Sequence, residues 1–417
     1  MTAFVPVHVG EVELEGGVEG LDTPVRGDGG RYRRSRVLVR LHGVPIGLVS
    51  VELEDGRADG ETVRAAVDRE LGDVVRAHQE ADERIGCGAV GPFGGLDVPA
   101  SVVVCTKDPG ESLQETLESL LAQSVAPTEI LVVDNASTTD AAERIVREVG
   151  GDRVRRLVEP IAGLSRARNR ALAEAGGEIV AFTDDDVRVD AGWLRGLLVG
   201  FTRAPRVACV TGIVPSAELE TPAQAFFDAR VYWSDRFDPR LFDLGANRPD
   251  DRFFPYAAGQ FGTGANFALR RSTAVEIGGF DEAFGVGTPT AGAEDLDFFL
   301  RIIQAGWTLA YEPQAIAWHY HRRDNAALRR QMYTYGVALS AYAFKHALRP
   351  RAAMELAACA PATIVRLARR GQAAERTSGQ TPGITAAELR GMFVGPLRYV
   401  RSRRRLRRSQ APPLLAG

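Results

Sequence analysis

Residues 101–137 read SVVVCTKDPGESLQETLESLLAQSVAPTEILVVDNAS, and this stretch decides the fold. Ser101–Cys105 is a short apolar run of buried-strand type. Across Glu111–Gln123, Leu113, Leu117, Leu120 and Leu121 lie on one side of a helix. Ile130–Val133 is a second strand. The alternation continues with a helix over 138–149, a strand over 154–158, a helix over 165–175 and a strand over 179–183. Strands alternating with helices predict a parallel sheet covered by helices. In such sheets ligands sit beyond the carboxyl ends of the strands, so the residues just past each strand form the candidate site.

Three strand ends deliver short polar groups to one rim. They are Cys105-Thr106-Lys107-Asp108, Asp134-Asn135-Ala136-Ser137 and Asp184-Asp185-Asp186. A single aspartate after a strand is usually a turn former or helix cap, and Asp134 alone reads that way. Three in a row are harder to dismiss, because adjacent carboxylates repel one another and a cation relieves the repulsion. Mg²⁺ and Mn²⁺ prefer carboxylate oxygen and bind together with substrate phosphates. The structural alternative is a solvated acidic turn capping a helix over 191–201.

Further on, Glu294-Asp295-Leu296-Asp297 opens a helix whose apolar face is Leu296, Phe299, Leu300 and Ile303. Acids at a helix start favour its dipole. A functional Asp295 would instead be a general base within reach of a hydroxyl. Trp318-His319-Tyr320-His321 follows an apolar run and offers two imidazoles, common ligands of transition-series cations. The glycines of Gly259–Asn266 permit close backbone approach to a ligand or a tight turn. That stretch is neither a Walker loop nor a dinucleotide fingerprint.

Outside this region the pattern changes. Residues 1–30 are rich in Gly and Glu, hold six acids and one arginine, and read as a loose arm with no signal peptide. Two strands, Arg36–His42 and Ile46–Glu54, and a helix, Val63–Arg76, predict a small ββα accessory domain over 31–85. A Gly- and Pro-rich linker is expected over 86–98, the α/β domain over 99–325, and a helical, basic extension over 326–417. Within the extension, 326–370 reads as helical and 371–385 as a loop. The final 27 residues contain seven arginines and no acid. Phe253–Leu269 and Gln331–Phe344 are long and uncharged, but a spanning helix needs ~20 mostly apolar residues. The first is broken by proline and glycine, and the second is too short.

A chain of 417 residues exceeds one ordinary domain of ~100–200 residues. Its 45% hydrophobic and 25% charged residues are ordinary for a globular protein, and a net charge of −3 argues against a general polyanion binder. Cysteines 87, 105, 209 and 359 show no zinc spacing and read as reduced thiols in a cytoplasm.

Taken in order, these pieces resemble glycosyltransferase family 2, whose catalytic domain has the GT-A fold. The resemblance runs from about Pro99 to Arg323. It rests on Val102–Thr106, the Leu117–Gln123 helix before Glu129–Ser137, Gly163-Leu164-Ser165-Arg166-Ala167-Arg168-Asn169, Phe182–Asp186, Gly292–Arg301 and Pro313–His321. It implies that Thr106 and Asp134 contact the nucleotide, and that Arg168 lies near the ribose or diphosphate. Asp184, with Asp185 beside it, would serve the donor. Asp186 would bind the metal with His319, Asp295 would be the catalytic base, and Glu294 and the loop around Gly264 would hold the acceptor. Two departures stand out. Asn135 replaces a second acid that is frequent in the family, and His321 competes with His319 as ligand.

The expected activity is therefore inverting transfer of a sugar from a nucleoside-diphosphate sugar to an acceptor hydroxyl, with Mn²⁺ or Mg²⁺. A sugar-phosphate nucleotidyltransferase and a non-catalytic nucleotide-sugar binding module are the alternatives. The expected acceptor is a glycan, a lipid-linked molecule or a small molecule, and no nucleic acid is expected. An anionic membrane surface is a candidate partner of the Arg-rich C-terminus, against a plainly solvated tail. The expected location is cytoplasmic, or peripheral on the inner face of the plasma membrane.

Overall fold

A computed structural model describes residues 4–85, 98–379, 383–409 and 414. The N-terminal part contains β1 (His8–Glu13), β2 (Gly20–Asp22), β3 (Arg34–Leu41), β4 (Val44–Glu52), β5 (Arg57–Asp59) and α1 (Gly60–Ile85). The sequence reading found the β3–β4 hairpin and α1 but took residues 1–30 for a loose arm. Instead β1 pairs parallel with β3, and β2 pairs with β5. The partners of β1 lie about 27 residues downstream, so local composition does not reveal the pairing. Arg40 donates to Asp190 at 2.6 Å, which ties this unit to the α/β domain. Most of the expected linker, 86–97, lies outside the described residues.

The α/β domain follows as β6 (Ala100–Thr106), α2 (Ser112–Leu121), β7 (Glu129–Asn135), α3 (Ala141–Val149), β8 (Val154–Glu159), α4 (Leu164–Glu174) and β9 (Ile179–Asp184). It continues with β10 (Val187–Val189), α5 (Trp193–Thr202), β11 (Val207–Ile213), α6 (Pro222–Val231), β12 (Arg240–Phe242), β13 (Asn266–Arg270), α7 (Arg271–Glu276), α8 (Glu294–Gln304) and β14 (Thr308–His319). The sheet order is β10-β14-β11-β13-β9-β6-β7-β8, with β12 beside β14. Strands β9, β6, β7 and β8 are parallel neighbours, as the alternation predicted. Strand β13 runs antiparallel between β9 and β11. It therefore begins, rather than ends, at the rim where β6 and β9 finish, which brings Gly264 and Ala265 beside Asp184. Phe182, Phe267, Phe280, Phe298 and Phe299 pack beneath that rim, each contributing about 1.5–3 kcal/mol by burial.

Three long helices close the chain: α9 (Asn325–Ala347), α10 (Pro350–Thr377) and α11 (Ile384–Arg408). The loop expected over 371–385 is largely helical, since α10 continues to Thr377 and α11 starts at Ile384. Gly371, which invited the loop reading, sits inside α10 because Thr385 crosses it: a Cβ there would lie 2.4 Å from Thr385 Oγ1. Helix α11 lies directly on α9 along a glycine seam. A Cβ on Gly336 would lie 1.9 Å from the Glu388 carbonyl, and one on Gly391 would lie 2.1 Å from the Tyr333 carbonyl. The basic C-terminus is thus an integral helix with Ala387, Tyr399 and Ser402 buried. No helix among the described residues is long and apolar enough to cross a membrane.

Candidate active site

A cavity of about 1450 Å³ opens at the carboxyl rim of the sheet. Thr106, Arg168, Asp184, Asp185, Asp186, Gly264, Glu294, Asp295 and His319 all line it. Asp134 does not; Asn135, one residue on, does. Successive strand side chains point to opposite faces. The Asp134 carboxylate is turned onto Arg156, whose Nη2 and Nε lie 2.7 and 3.0 Å from Oδ2. Asn135 braces the donor-side loop by accepting from the Gly163 amide and donating to the Ile161 carbonyl.

The acidic turn joins β9 to β10, and the register of β10 on β14 pairs Val187 with His319. That pairing delivers the imidazole to the turn. His319 Nε2 lies 3.3 Å from Asp186 Oδ1 and 4.0 Å from Asp184 Oδ2. One ligand atom from each of Asp184, Asp186 and His319 falls within 4.8 Å of the others. Asp184, expected to serve the donor, thus joins the expected pair. His321 does not. It is buried between Phe227 and Trp233, with its ring stacked behind His319 at 4.8 Å.

The electrostatics fit a cation. Burial pushes the Asp184 carboxyl well up despite Arg168, with Asp186 and Asp185 adding to the rise. Burial also raises Asp185 to about 6, and its carboxylate accepts from the Thr106 hydroxyl. Burial lowers His319, which keeps the imidazole neutral and available as a ligand. Repelling carboxylates and a neutral imidazole are the donor set a hard or borderline divalent ion takes.

Arg168 connects this group to the opposite wall. It is buried, with its guanidinium carbon 5.3 Å from the Phe267 ring centroid and 5.5 Å from that of Phe280. Its Nη1 donates to Glu294 Oε1 and its Nη2 to the Gly264 carbonyl, both at 3.0 Å. The Gly264 amide donates to Asp295 Oδ2 at 2.7 Å. A Cβ on Gly264 would lie 2.9 Å from Arg168 Nη2 and 3.1 Å from Asp295 Oδ2, so a larger residue there would displace one or both of these side chains. Before α8, Ala291 and Ala293 hold φ of 59° and 68°. Such left-handed alanines cost energy and cluster at functional sites.

Helix α9 supplies lining residues that the sequence reading missed. Gln331, Thr334 and Tyr335 face the cavity at helical spacing, and Arg322 Nη1 lies 3.5 Å from Asp186 Oδ2. The signal was the polar stripe within the uncharged Gln331–Phe344 run, which hydropathy alone passes over.

Residues 101–277 match the profile described as Glycosyl transferase family 2. By this match, residues 101–277 carry the signature of glycosyl transferase family 2. A glucosyl-dolichyl phosphate glucuronosyltransferase of Haloferax volcanii is 28% identical over 222 residues, covering 52% of this chain and 67% of the relative. A pre-mycofactocin glycosyltransferase of Mycobacterium tuberculosis is 31% identical over 185 residues, covering 44% of this chain and only 36% of the relative. Among solved structures, a Pyrobaculum calidifontis mannosyltransferase in complex with GDP-Man and Mn²⁺ is 18% identical, with a TM-score of 0.48 over 80% of this chain and 97% of that one. The family and these relatives are glycosyltransferases. The mostly parallel, helix-covered sheet is the GT-A architecture the resemblance implied. Glu294, Asp295 and His319 lie beyond the matched segment.

Proposed function

We propose that this glycosyltransferase moves a sugar from a nucleoside-diphosphate sugar to an acceptor hydroxyl, inverting the anomeric centre. The observation that carries the reading is the placement of Asp184, Asp186 and His319 on the same cavity as Asp295. Asp186 and His319, with Asp184 beside them, would hold Mn²⁺ or Mg²⁺. The bound cation supplies electrostatic stabilisation of the charge that builds on the leaving diphosphate. Thr106 and Asp185 line the donor side, and Arg168 holds the donor and acceptor walls in register. Asp134, held by Arg156 outside the cavity lining, has no direct part in this reading. Asp295 is oriented by the Gly264 amide. It takes the proton of the acceptor hydroxyl as that oxygen attacks the anomeric carbon and the nucleoside diphosphate departs from the opposite face. One base suffices for a single displacement with no covalent intermediate.

The acceptor proposed is a glycan, a lipid-linked molecule or a small molecule; the haloarchaeal relative is named for a dolichyl phosphate sugar. Peripheral attachment at the cytoplasmic leaflet belongs to the same proposal. Phe393 and Leu397 are exposed on α11, and Arg401, Arg404, Arg405 and Arg408 continue the same face.

Incubation with a panel of UDP-, GDP- and TDP-sugars and Mn²⁺ tests the reading. Release of nucleoside diphosphate, with an inverted anomeric linkage by NMR, is the expected result. With pyrophosphate added, release of a nucleoside triphosphate and a sugar 1-phosphate would indicate nucleotidyl transfer instead. Donor binding without any turnover would indicate a binding module.

A further inference from the structure

The cavity does not end at Asp295. It continues as a trough between α9 and α10, and there its lining changes character. Leu356, Ala360, Ile364 and Leu367 of α10 fall at helical spacing along it, facing Leu339 and Phe344 of α9. Helix α10 has 28 residues, of which only Ala352, Gly371 and Ala374 are buried. An apolar stripe of this period ordinarily seats against protein; this one faces open space. The gap is particular to α10, since α11 meets α9 at backbone contact along the glycine seam.

Arg366 and Arg370 line the same trough, one turn apart on α10. Among the described residues no carboxylate comes within ion-pair distance of either. Their partners are aromatic: Arg366 lies 5.9 Å from the Phe253 ring centroid, and Arg370 lies 4.6 Å from that of Tyr232. Burial, then the positive charge of Arg366, push the Arg370 guanidinium down. Two unpaired guanidiniums held side by side are a binding site for an oxyanion. Trp233, next to Tyr232, lies 6.3 Å from the His319 ring. The arginine pair therefore stands at the catalytic end of the trough, and the stripe leads away from it toward Leu356.

We infer that the acceptor is a lipid phosphate ester, with its phosphate between Arg366 and Arg370 and its hydrocarbon chain along the α10 stripe. This rests on the glycosyl-transfer reading above, with the hydroxyl-bearing end of the acceptor at Asp295. Phosphate selectivity comes from the paired guanidiniums, and the hydrocarbon contributes through apolar area removed from water.

Equilibrium dialysis of the full-length protein against farnesyl phosphate, below its micellar concentration, tests the inference. Farnesol and inorganic phosphate are the comparison ligands, and binding of UDP, GDP and TDP with Mn²⁺ is measured in parallel. Farnesyl phosphate should bind at least about tenfold more tightly than either comparison ligand. Arg366→Glu with Arg370→Glu should cost at least about tenfold in that affinity, as should Ile364→Glu alone. Nucleotide binding should be unchanged in both variants, which also shows that they are folded. Absent binding, equal binding of inorganic phosphate or farnesol, or unchanged affinity in the variants overturns the inference. Loss of nucleotide binding in the parent protein, with arginine-dependent farnesyl phosphate binding retained, would overturn the donor reading alone.

Discussion

Arg168 and Glu294 form a 3.0 Å ion pair beneath the cavity with both side chains almost wholly withdrawn from solvent. The same guanidinium also lies 3.8 Å from Asp184 Oδ1, so one buried cation spans the acidic turn and the start of α8. Burial pushes the Glu294 carboxyl up to about 7, while Arg168 pulls it down. Below that pH Glu294 gains a proton and the ion pair is broken, leaving Arg168 cationic. Turnover should therefore fall as pH drops through about 7, and Glu294→Gln should lower activity and remove that inflection from the pH–rate profile. The folding contribution runs the other way. The native state holds the proton more tightly than the unfolded chain, whose ordinary value is 4.5, so this group favours folding less as pH rises from 4.5 to 7.

Asp295 is the predicted base. Asp295→Asn keeps the shape and the contact with the Gly264 amide but removes the basicity. General-base catalysis contributes about 10²–10⁴-fold, and turnover should fall by that order with nucleotide affinity retained. Single-turnover kinetics and donor titration separate the two effects. Normal turnover in the Asn variant would transfer the role to another residue.

Metal dependence is the next expectation. Chelation with EDTA should abolish turnover, and Mn²⁺ or Mg²⁺ should restore it; full activity in chelator would remove the cation from the mechanism. His319→Ala should weaken Mn²⁺ binding, read by electron paramagnetic resonance, by more than the ~10–100-fold typical of outer-shell partners. His321→Ala should stay within that range, because His321 only stacks behind His319.

The rim of the site was legible in the sequence because strand ends in a parallel sheet share one edge, and Thr106 and Asp184–Asp186 are strand ends. The choice between Asp134 and Asn135 was not, since one residue of register reverses the side-chain face. The choice between His319 and His321 was open for the opposite reason, since residues two apart share a strand face, and the pairing of Val187 with His319 settles which imidazole meets the turn. The parallel partnership of β1 with β3 and the placing of Gln331 and Tyr335 over the cavity arise from distant contacts. No local period encodes either. The helix through Gly371 looked like a loop because a close crossing by Thr385 and a flexible break both call for glycine.

Asp297 should govern how α9 holds α8. Its buried carboxylate meets Lys345 at 2.6 Å, Arg301 at 2.8 Å and His346 at 3.0 Å. These partners overcome burial and hold the carboxyl far below the usual carboxylate range. The depressed value gives stability that is present above about pH 4 and lost as pH falls through the folded value. Asp297→Asn leaves Arg301 without its carboxylate and Lys345 with Asp281 alone, and breaking such a cluster costs about 3–5 kcal/mol. Urea unfolding at pH 7 should show a loss of that size, and the difference from the parent protein should shrink in acid. Equal midpoints at pH 7 would mean that the network contributes nothing net.

Membrane attachment is tested by charge substitution, because the structure rules out simple truncation as a clean probe. Removing α11 after Ala387 would strip Tyr399 and Ser402 from their buried sites and the glycine seam from α9, so lost binding would report unfolding. Arg401, Arg404, Arg405 and Arg408 line an outward groove of α11. Replacing all four with Gln leaves the buried face intact. Each arginine near an anionic leaflet contributes about 1 kcal/mol, so four neutralised charges should weaken association by about 10²–10³-fold. Phe393 and Leu397, at 83% and 73% exposure, are placed to enter the interface. Phe393→Ser with Leu397→Ser should weaken binding in a manner insensitive to salt, whereas the arginine term should fade as salt screens it. Sedimentation with phosphatidylserine-containing and pure phosphatidylcholine vesicles, at low and high salt, reads both terms. If the parent and the four-Gln variant sediment alike with anionic vesicles at low salt, the basic face of α11 is solvated charge and the enzyme meets its acceptor by another route.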